Sequence, residues 1–516
     1  YDAIAAPAVV GSPPRSPDFD PPQNHADKYG VGGTGAGDGF YWDHFNRRTM
    51  VYLPTNGGML HGFDGETGDE TFAYIPDDVM GLAPGEVVGS RDLLSEFVEL
   101  VVAQNNGITN HQFTMSGAPT VKDAFLRSDA GGDNEWHTIL SFGRGRGGRA
   151  LSALDVTDPT NPRLRFNIVN REGINDGLLD GMGETWSTPT MGNVQTTNTT
   201  SSPDRVDQWL AFFGGGYGCN NASREGQYLF AVRVENGSVY HRAQVTNDTT
   251  AAIPNNAVVT MPTLYNPHSE DVADNKDFIT RIYVGDVQGG IWKLVTTALN
   301  PTGWTFRKFA EVGKDQPITA PIAIMNDANN QQIYVMAGTG GDLRVSATGR
   351  TFKLSTMIDV DPDGANTTQY PLGSTPFWSQ ALNPDERVYI SPVTVGTVEN
   401  SGTPMVFFAA SAPGFNTQTC TGFFNSSLYA LGLLSGQAEL DLDGGGPDTS
   451  LAIADSKITG LYARSGHVYV SKSGGLGANS GSVTVYGDGD FSDDVSTGGS
   501  GITIQVLVDG FRISPF

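Results

Sequence analysis

The sequence predicts an all-β fold of the propeller class, with seven irregular blades, long inserted loops and one short helical insertion. Two repeating features carry the prediction. The first is a small residue or Met followed by Pro and an apolar or β-branched run. It occurs five times at similar intervals: Ala118-Pro119-Thr120-Val121, Thr188-Pro189-Thr190-Met191, Met261-Pro262-Thr263-Leu264, Ala320-Pro321-Ile322-Ala323 and Ser391-Pro392-Val393-Thr394. Proline cannot donate to a ladder, so within a sheet it sits at the first residue or on an edge, and each copy reads as the opening of a small sheet. The second feature is an apolar strand, a Gly-rich turn and another apolar strand, the cadence of hairpins rather than of βαβ units. Small sheets repeated with only short exposed edges describe a propeller.

Taken in order, residues 1–39 read as an extended surface strap, with Pro13-Pro14, Pro21-Pro22 and a run of glycines, and as the possible remnant of a longer N-terminal region. Residue 1 is Tyr, so the sequence reads as a processed chain or a piece of a longer one. Residues 40–516 read as the propeller. Its hairpins are clearest at Val51-Tyr52-Leu53 to Leu60-His61-Gly62-Phe63 and at Ile282-Tyr283-Val284 to Ile291-Trp292-Lys293-Leu294. Looser versions start at Ile139, Leu210, Ile333 and Val406. The tail, with Leu461-Tyr462-Ala463, His467-Val468-Tyr469-Val470 and Ile502–Val506, supplies a seventh sheet that a strand from the N-terminus could close. Ser90 to Ala103 has Leu93, Leu94, Phe97, Leu100 and Val101 at helical spacing behind a Ser or Asp cap, and is expected as a helix inside an insertion.

Composition narrows function. The 56 acidic and 31 basic residues give a net charge of −25, which repels nucleic acid and anionic lipid and favours divalent cations or basic partners. Apolar runs are too short and too interrupted to span a bilayer, so neither nucleic-acid binding nor membrane insertion is expected. Cys219 and Cys420 lie in loop-like stretches, either bridged in an oxidising compartment or separate thiols. No G-x-S-x-G, H-E-x-x-H, C-x-x-C or P-loop motif occurs, so no catalytic site is expected. Gly143-Arg144-Gly145-Arg146-Gly147-Gly148-Arg149 has glycines and cations suited to an anion, but it lies between two strands with no helix following, which favours a structural hairpin.

Calcium is the expected cofactor, because hard cations take several carboxylate and carbonyl oxygens from a flexible loop. Three stretches qualify. Asp359, Asp361 and Asp363 precede Gly364 in an EF-hand-like order, although Tyr370 stands where the bidentate Glu belongs. Asp441, Asp443 and Asp448 surround three glycines. Asp271, Asp274 and Asp277 immediately precede the strand Ile282-Tyr283-Val284. A fourth acidic turn, Gly487-Asp488-Gly489-Asp490, reads as solvated.

Met50-Val51-Tyr52-Leu53-Pro54-Thr55-Asn56-Gly57-Gly58-Met59-Leu60-His61-Gly62-Phe63-Asp64 resembles the PilY family's signature for its first propeller hairpin. Further similarity lies in Val10-Gly11-Ser12-Pro13, in Gly147–Leu151 leading into Ala153-Leu154-Asp155-Val156-Thr157-Asp158-Pro159, and in Tyr283–Leu294, so that the resemblance covers roughly residues 8 to 435. It implies a non-catalytic propeller exported through the periplasm to the cell surface, at the tip of the type IV pilus. Such a protein acts as an adhesin and pilus biogenesis factor, with pilin or minor pilin-like proteins as partners and an unidentified host or surface ligand. It also implies calcium regulation, the family's loop falling by position on Asp271, Asp274 and Asp277, where its regular alternation of Asp is not kept. No Arg-Gly-Asp tripeptide occurs. Leu60–Gly68 also resembles quinoprotein propeller repeats, which leaves a dehydrogenase as one alternative, and a structural subunit of another secreted assembly is a second.

Overall fold

The computed structural model describes residues 8–17, 25–80, 113–127, 134–170, 179–196, 207–218, 224–253, 255–266, 278–327, 332–342, 350–359, 377–395, 404–416, 421–439, 449–454, 456–464, 467–473 and 483–486. These form seven antiparallel sheets. The first contains β1 (Val9–Gly11), β2 (Met50–Pro54), β3 (Leu60–Asp64) and β4 (Glu70–Tyr74); between β1 and β2 lie α1 (Ala26–Tyr29) and α2 (Phe40–His44). The second contains β5 (Pro119–Arg127), β6 (Asn134–Gly143), β7 (Ala150–Asp155) and β8 (Arg163–Val169). The third contains β9 (Thr190–Gln195), β10 (Asp207–Gly214), β11 (Tyr228–Arg233) and β12 (Val239–Gln244). The fourth contains β13 (Thr263–Tyr265), β14 (Arg281–Gly285), β15 (Gly290–Val295) and β16 (Thr305–Glu311). The fifth contains β17 (Ala323–Asp327), β18 (Gln332–Gly338), β19 (Lys353–Asp359) and β20 (Trp378–Ala381). The sixth contains β21 (Arg387–Val388), β22 (Val393–Val395), β23 (Met405–Asn416), β24 (Thr421–Gly432) and β25 (Ser450–Ile453). The seventh contains β26 (Lys457–Arg464), β27 (His467–Ser473) and β28 (Val483–Tyr486).

Every hairpin expected from the apolar-turn-apolar cadence is the middle pair of a sheet, from β2–β3 through β23–β24, and the tail's is β26–β27. Four of the five repeated prolines open a sheet, Pro321 lying two residues before β17, whereas Pro392 leads into β22 after β21 has begun the sixth sheet. Pro119 is the first residue of β5, while Pro189, Pro262 and Pro392 immediately precede β9, β13 and β22. One expectation is corrected: among the described residues the N-terminal strand belongs to the first sheet and not to the tail's. Val9–Gly11 pairs with Met50–Tyr52 in the first sheet, because its buried Gly11 fits against the Tyr52 ring, where a Cβ would come within 2.6 Å. Ser90–Ala103 and Ile502–Val506 lie outside the described residues.

The chain divides into two compact units, Tyr1–Asn247 with Asn255–Tyr283 and Lys293–Arg307, and Asp248–Pro254 with Val284–Trp292 and Lys308–Phe516. In the first unit, sheets pack face to face. Met50, Tyr52 and Leu60 of the first sheet meet Leu140, Phe142 and Leu154 of the second. Phe125, Trp136 and Ile139 of the second meet Met191, Trp209 and Phe230 of the third. β7 is therefore buried on both faces, whereas the outermost β4 and β8 stay half exposed. In the second unit, Tyr334, Met336 and Leu354 pack on Phe408, Tyr429 and Leu431, and Phe407, Leu428 and Ala430 pack on Ile458, Val468 and Val470. Apolar matter removed from water on two faces is the main stabilising term for such sheets. Among the described residues no helix is long and apolar enough to cross a membrane.

Candidate functional site

A cavity of about 480 Å³ lies between α2 and the second sheet, inside the first unit. It is assembled from residues far apart in sequence. Helix α2 spans one turn, so Phe40, Asp43 and His44 share a face by their i, i+3 and i+4 spacing, and all three line the cavity. The opposite residues, Tyr41, Trp42 and Phe45, contact one another with ring centroids 5.0 to 6.1 Å apart, and the Trp42 indole donates to Gly30 O at 2.9 Å. β6 contributes Glu135, Trp136 and His137, and the end of β7 contributes Asp155. Thr157 and Asp158 follow in the turn to β8.

The floor holds a charged network. Asp155 Oδ2 is 2.7 Å from both His137 Nδ1 and an Arg165 terminal nitrogen, and Asp155 Oδ1 accepts from the Thr157 amide at 3.0 Å. Burial alone would raise this carboxyl, but hydrogen bonds from His137 and Thr157 hold it well below the usual carboxylate range. The same Arg165 nitrogen lies 3.0 Å from His137 Nδ1, so the carboxylate, the imidazole and the guanidinium meet at one point. His137 Nε2 makes no hydrogen bond among the described residues and lies 3.5 Å from Glu135 Oε1. Burial, with Arg47 nearby, lowers the His44 pKa and leaves that ring neutral at neutral pH.

The basic stretch 143–149 is structural, as its position between strands implied. Arg144 is fully buried, and its Nε and a terminal nitrogen donate to the two Asp78 oxygens at 3.0 and 2.8 Å. The same nitrogen reaches Ser152 Oγ at 2.7 Å and Asn167 Oδ1 at 2.9 Å. Arg149 pairs with Glu225 at 2.7 Å and Arg146 stacks over the Phe113 ring, so all three cations are engaged. Gly147 must be glycine here because a Cβ would fall 2.0 Å from Thr114 O.

Of the nine acidic residues singled out for calcium, only Asp359 is described. It is the last residue of β19, 1% exposed and opposite Ile333. Asp271, Asp274, Asp277, Asp361, Asp363, Asp441, Asp443 and Asp448 lie outside the described residues, as do Cys219 and Cys420. Among the described residues no three His, Cys, Asp or Glu side chains are grouped to hold a metal. Sequence reading did not find the cavity. Its one legible signal was the run Leu154-Asp155-Val156-Thr157-Asp158, which closes β7 and turns beneath α2.

Comparison with known proteins places this architecture. The family model described as the PilY1 beta-propeller domain matches residues 31–373. A type IV pilus biogenesis factor PilY1 from Pseudomonas aeruginosa strain UCBPP-PA14 is 28% identical over 358 residues, covering 63% of this chain and 26% of that protein. The protein of the same name from strain PAO1 is 32% identical over 248 residues, covering 48% of this chain and 17% of that protein. This chain thus spans about a quarter or less of the curated relatives' length. The crystal structure of the Pseudomonas aeruginosa PilY1 C-terminal domain superposes with a TM-score of 0.57 at 19% identity, covering 84% of this chain and 92% of that one. That likeness shows the β-propeller fold, and with the family match across most of the sheets it establishes that the chain belongs to the PilY1 beta-propeller domain family.

Proposed function

We propose that this propeller serves type IV pilus biogenesis as a non-catalytic scaffold at the cell surface, its loops engaging pilin-like subunits and an attachment surface. The observation that carries the reading is the family match over residues 31–373, joined to relatives named as type IV pilus biogenesis factors. Sheets joined by long insertions suit the presentation of binding surfaces on loops. Location at the pilus tip and regulation by calcium belong to the same proposal. For calcium, the family's loop maps by position onto Asp271, Asp274 and Asp277, three carboxylates of the kind a hard cation takes.

Deleting the codons for residues 31–373 from the native gene tests the reading. Surface pili counted by electron microscopy should be lost, and should return when the intact gene is supplied in trans. Normal piliation in the deletion strain, with the truncated product shown to be exported, would overturn it.

A further inference from the structure

A second constellation lies at one end of the third sheet, inside the first unit, and shares no residue with the α2 cavity. The segment leading into β9 carries Glu184 and Trp186, and the glycine-rich turn leaving β10 carries Tyr217. Backbone bonds lock the two together. Glu184 N donates to Tyr217 O at 2.7 Å, and Tyr217 N donates to Glu184 O at 3.1 Å. Gly216, at φ +75°, permits this approach, since a Cβ there would collide with Glu184 O. The Trp186 and Tyr217 ring planes stand 75° apart with centroids 6.1 Å apart, and both residues are half-buried. They make two walls of a corner on a backbone frame.

An independent observation is the charge beside the corner. Glu184 Oε2 accepts the Trp186 indole N–H at 2.9 Å, which holds the carboxylate at the edge of that ring. Among the described residues Glu184 has no other side-chain partner and faces no cation. Ring quadrupoles attract positive charge within about 6 Å of a centroid, so one cation in the angle reaches both walls and the carboxylate. The acceptors decide which cation. A primary ammonium brings three N–H donors and a tight hydration shell, for which the corner offers a single carboxylate; a quaternary ammonium brings no donor and gives up water more readily. We propose that Trp186, Tyr217 and Glu184 bind a quaternary ammonium group, the chemistry shared by free choline and phosphocholine lipid headgroups. The net charge of −25 concentrates such cations around the chain.

The test uses the whole chain at physiological ionic strength and ligand-observed NMR with choline, its uncharged carbon isostere neohexanol, and propylamine. Choline should bind, and the other two should bind about tenfold more weakly. Trp186→Leu should weaken choline about fivefold, whereas Trp186→Phe, which keeps a π face and gives up the N–H, should retain most of the affinity. Glu184→Gln keeps an acceptor for the indole, so the corner stays assembled, and should weaken choline about fivefold through the lost charge. Glu66→Gln removes the same charge from the exposed β3–β4 turn and should leave the affinity unchanged. Phosphatidylcholine vesicles identify the source. Co-sedimentation that Glu184→Gln abolishes assigns a lipid headgroup, and choline binding without co-sedimentation assigns the free ion. Absence of choline binding would overturn the site, as would unchanged affinity in Trp186→Leu or equal weakening by Glu184→Gln and Glu66→Gln. Neohexanol or propylamine binding as tightly as choline would overturn the quaternary ammonium as its ligand.

Discussion

At the scale of single residues, the first unit stakes most on Arg144. Its guanidinium reaches Asp78, Ser152 and Asn167 with no exposed surface. Burial works against ionisation of Asp78, but the charge and hydrogen bonds of Arg144 more than offset it, so the carboxyl sits below its ordinary value. Arg144→Met leaves a buried carboxylate without its partner, and urea denaturation should show a loss of about 3–5 kcal/mol. Arg144→Met with Asp78→Leu, which removes both charges, should recover most of it. The pH dependence has a fixed sign. A depressed folded pKa stabilises above the unfolded value of about 3.9 and ceases to do so as pH falls through the folded value. The stability gap between wild type and Arg144→Met should therefore be widest at neutral pH and narrow as pH falls, first as the unpaired buried Asp78 of the variant takes up a proton above the ordinary carboxylate value and then, below about pH 4, as wild type loses its own contribution. A gap independent of pH would show that packing rather than charge sets the loss. The arginine was visible in the sequence as one of three cations in a glycine-rich run. Its partner was not, because Asp78 lies 66 residues away and neither residue's neighbours mark the pairing.

At the scale of elements, the sequence announced its sheets because two local rules coincide. Proline marks where a strand begins, and apolar runs on either side of a glycine turn mark the hairpin that follows. In the Asp286–Gly290 turn the cause is explicit. Asp286 Oδ1 accepts from the Gln288 and Gly290 amides at 3.0 and 2.8 Å, Oδ2 accepts from the Trp292 indole at 2.6 Å, and Gly289 takes φ +99°, a value that favours glycine. What the pattern did not reveal is how successive strand starts are tied together. Thr120 Oγ1 donates to Pro189 O at 2.8 Å and Thr190 Oγ1 to Pro262 O at 3.0 Å, each threonine following its own repeat's proline. The Thr in the Pro-Thr pair is thus a sheet-to-sheet link as well as a β-branched strand residue. Thr190→Val keeps the shape and removes the donor, so it should cost about 1 kcal/mol and lower the melting midpoint; Thr190→Ser should restore most of it. If Val and Thr melt alike, the link contributes nothing. The cavity escaped sequence reading for the same reason as these links. α2 is a single turn, too short to show periodicity, and it meets β6 residues about ninety positions later.

At the scale of the whole molecule, charge is the dominant uncompensated quantity. A chain carrying −25 repels itself, so simple salt should stabilise it by screening, the Debye length falling from about 30 Å at 0.01 M to about 10 Å at 0.1 M. Any divalent cation does the same without a site, which makes a bare calcium effect uninformative. The discriminating measurement compares melting midpoints in chelator, in millimolar calcium and in sodium chloride of matched ionic strength. It is repeated for the combined substitution Asp271→Ala, Asp274→Ala and Asp277→Ala. A specific site held at a hundredfold excess over its dissociation constant adds about 2.7 kcal/mol by linkage, over and above the salt effect. The expected result is a calcium midpoint above that of matched sodium chloride in the wild type and equal to it in the triple variant. The variant should also melt slightly higher than wild type in chelator, because three negative charges have been removed from an already acidic chain. Identical midpoints in calcium and matched salt would remove calcium from the proposed function and leave screening as the whole effect. A calcium increment that survives the triple substitution would instead move the site to the Asp361–Asp363 or Asp441–Asp448 stretch, whose carboxylates are spaced for the same chemistry.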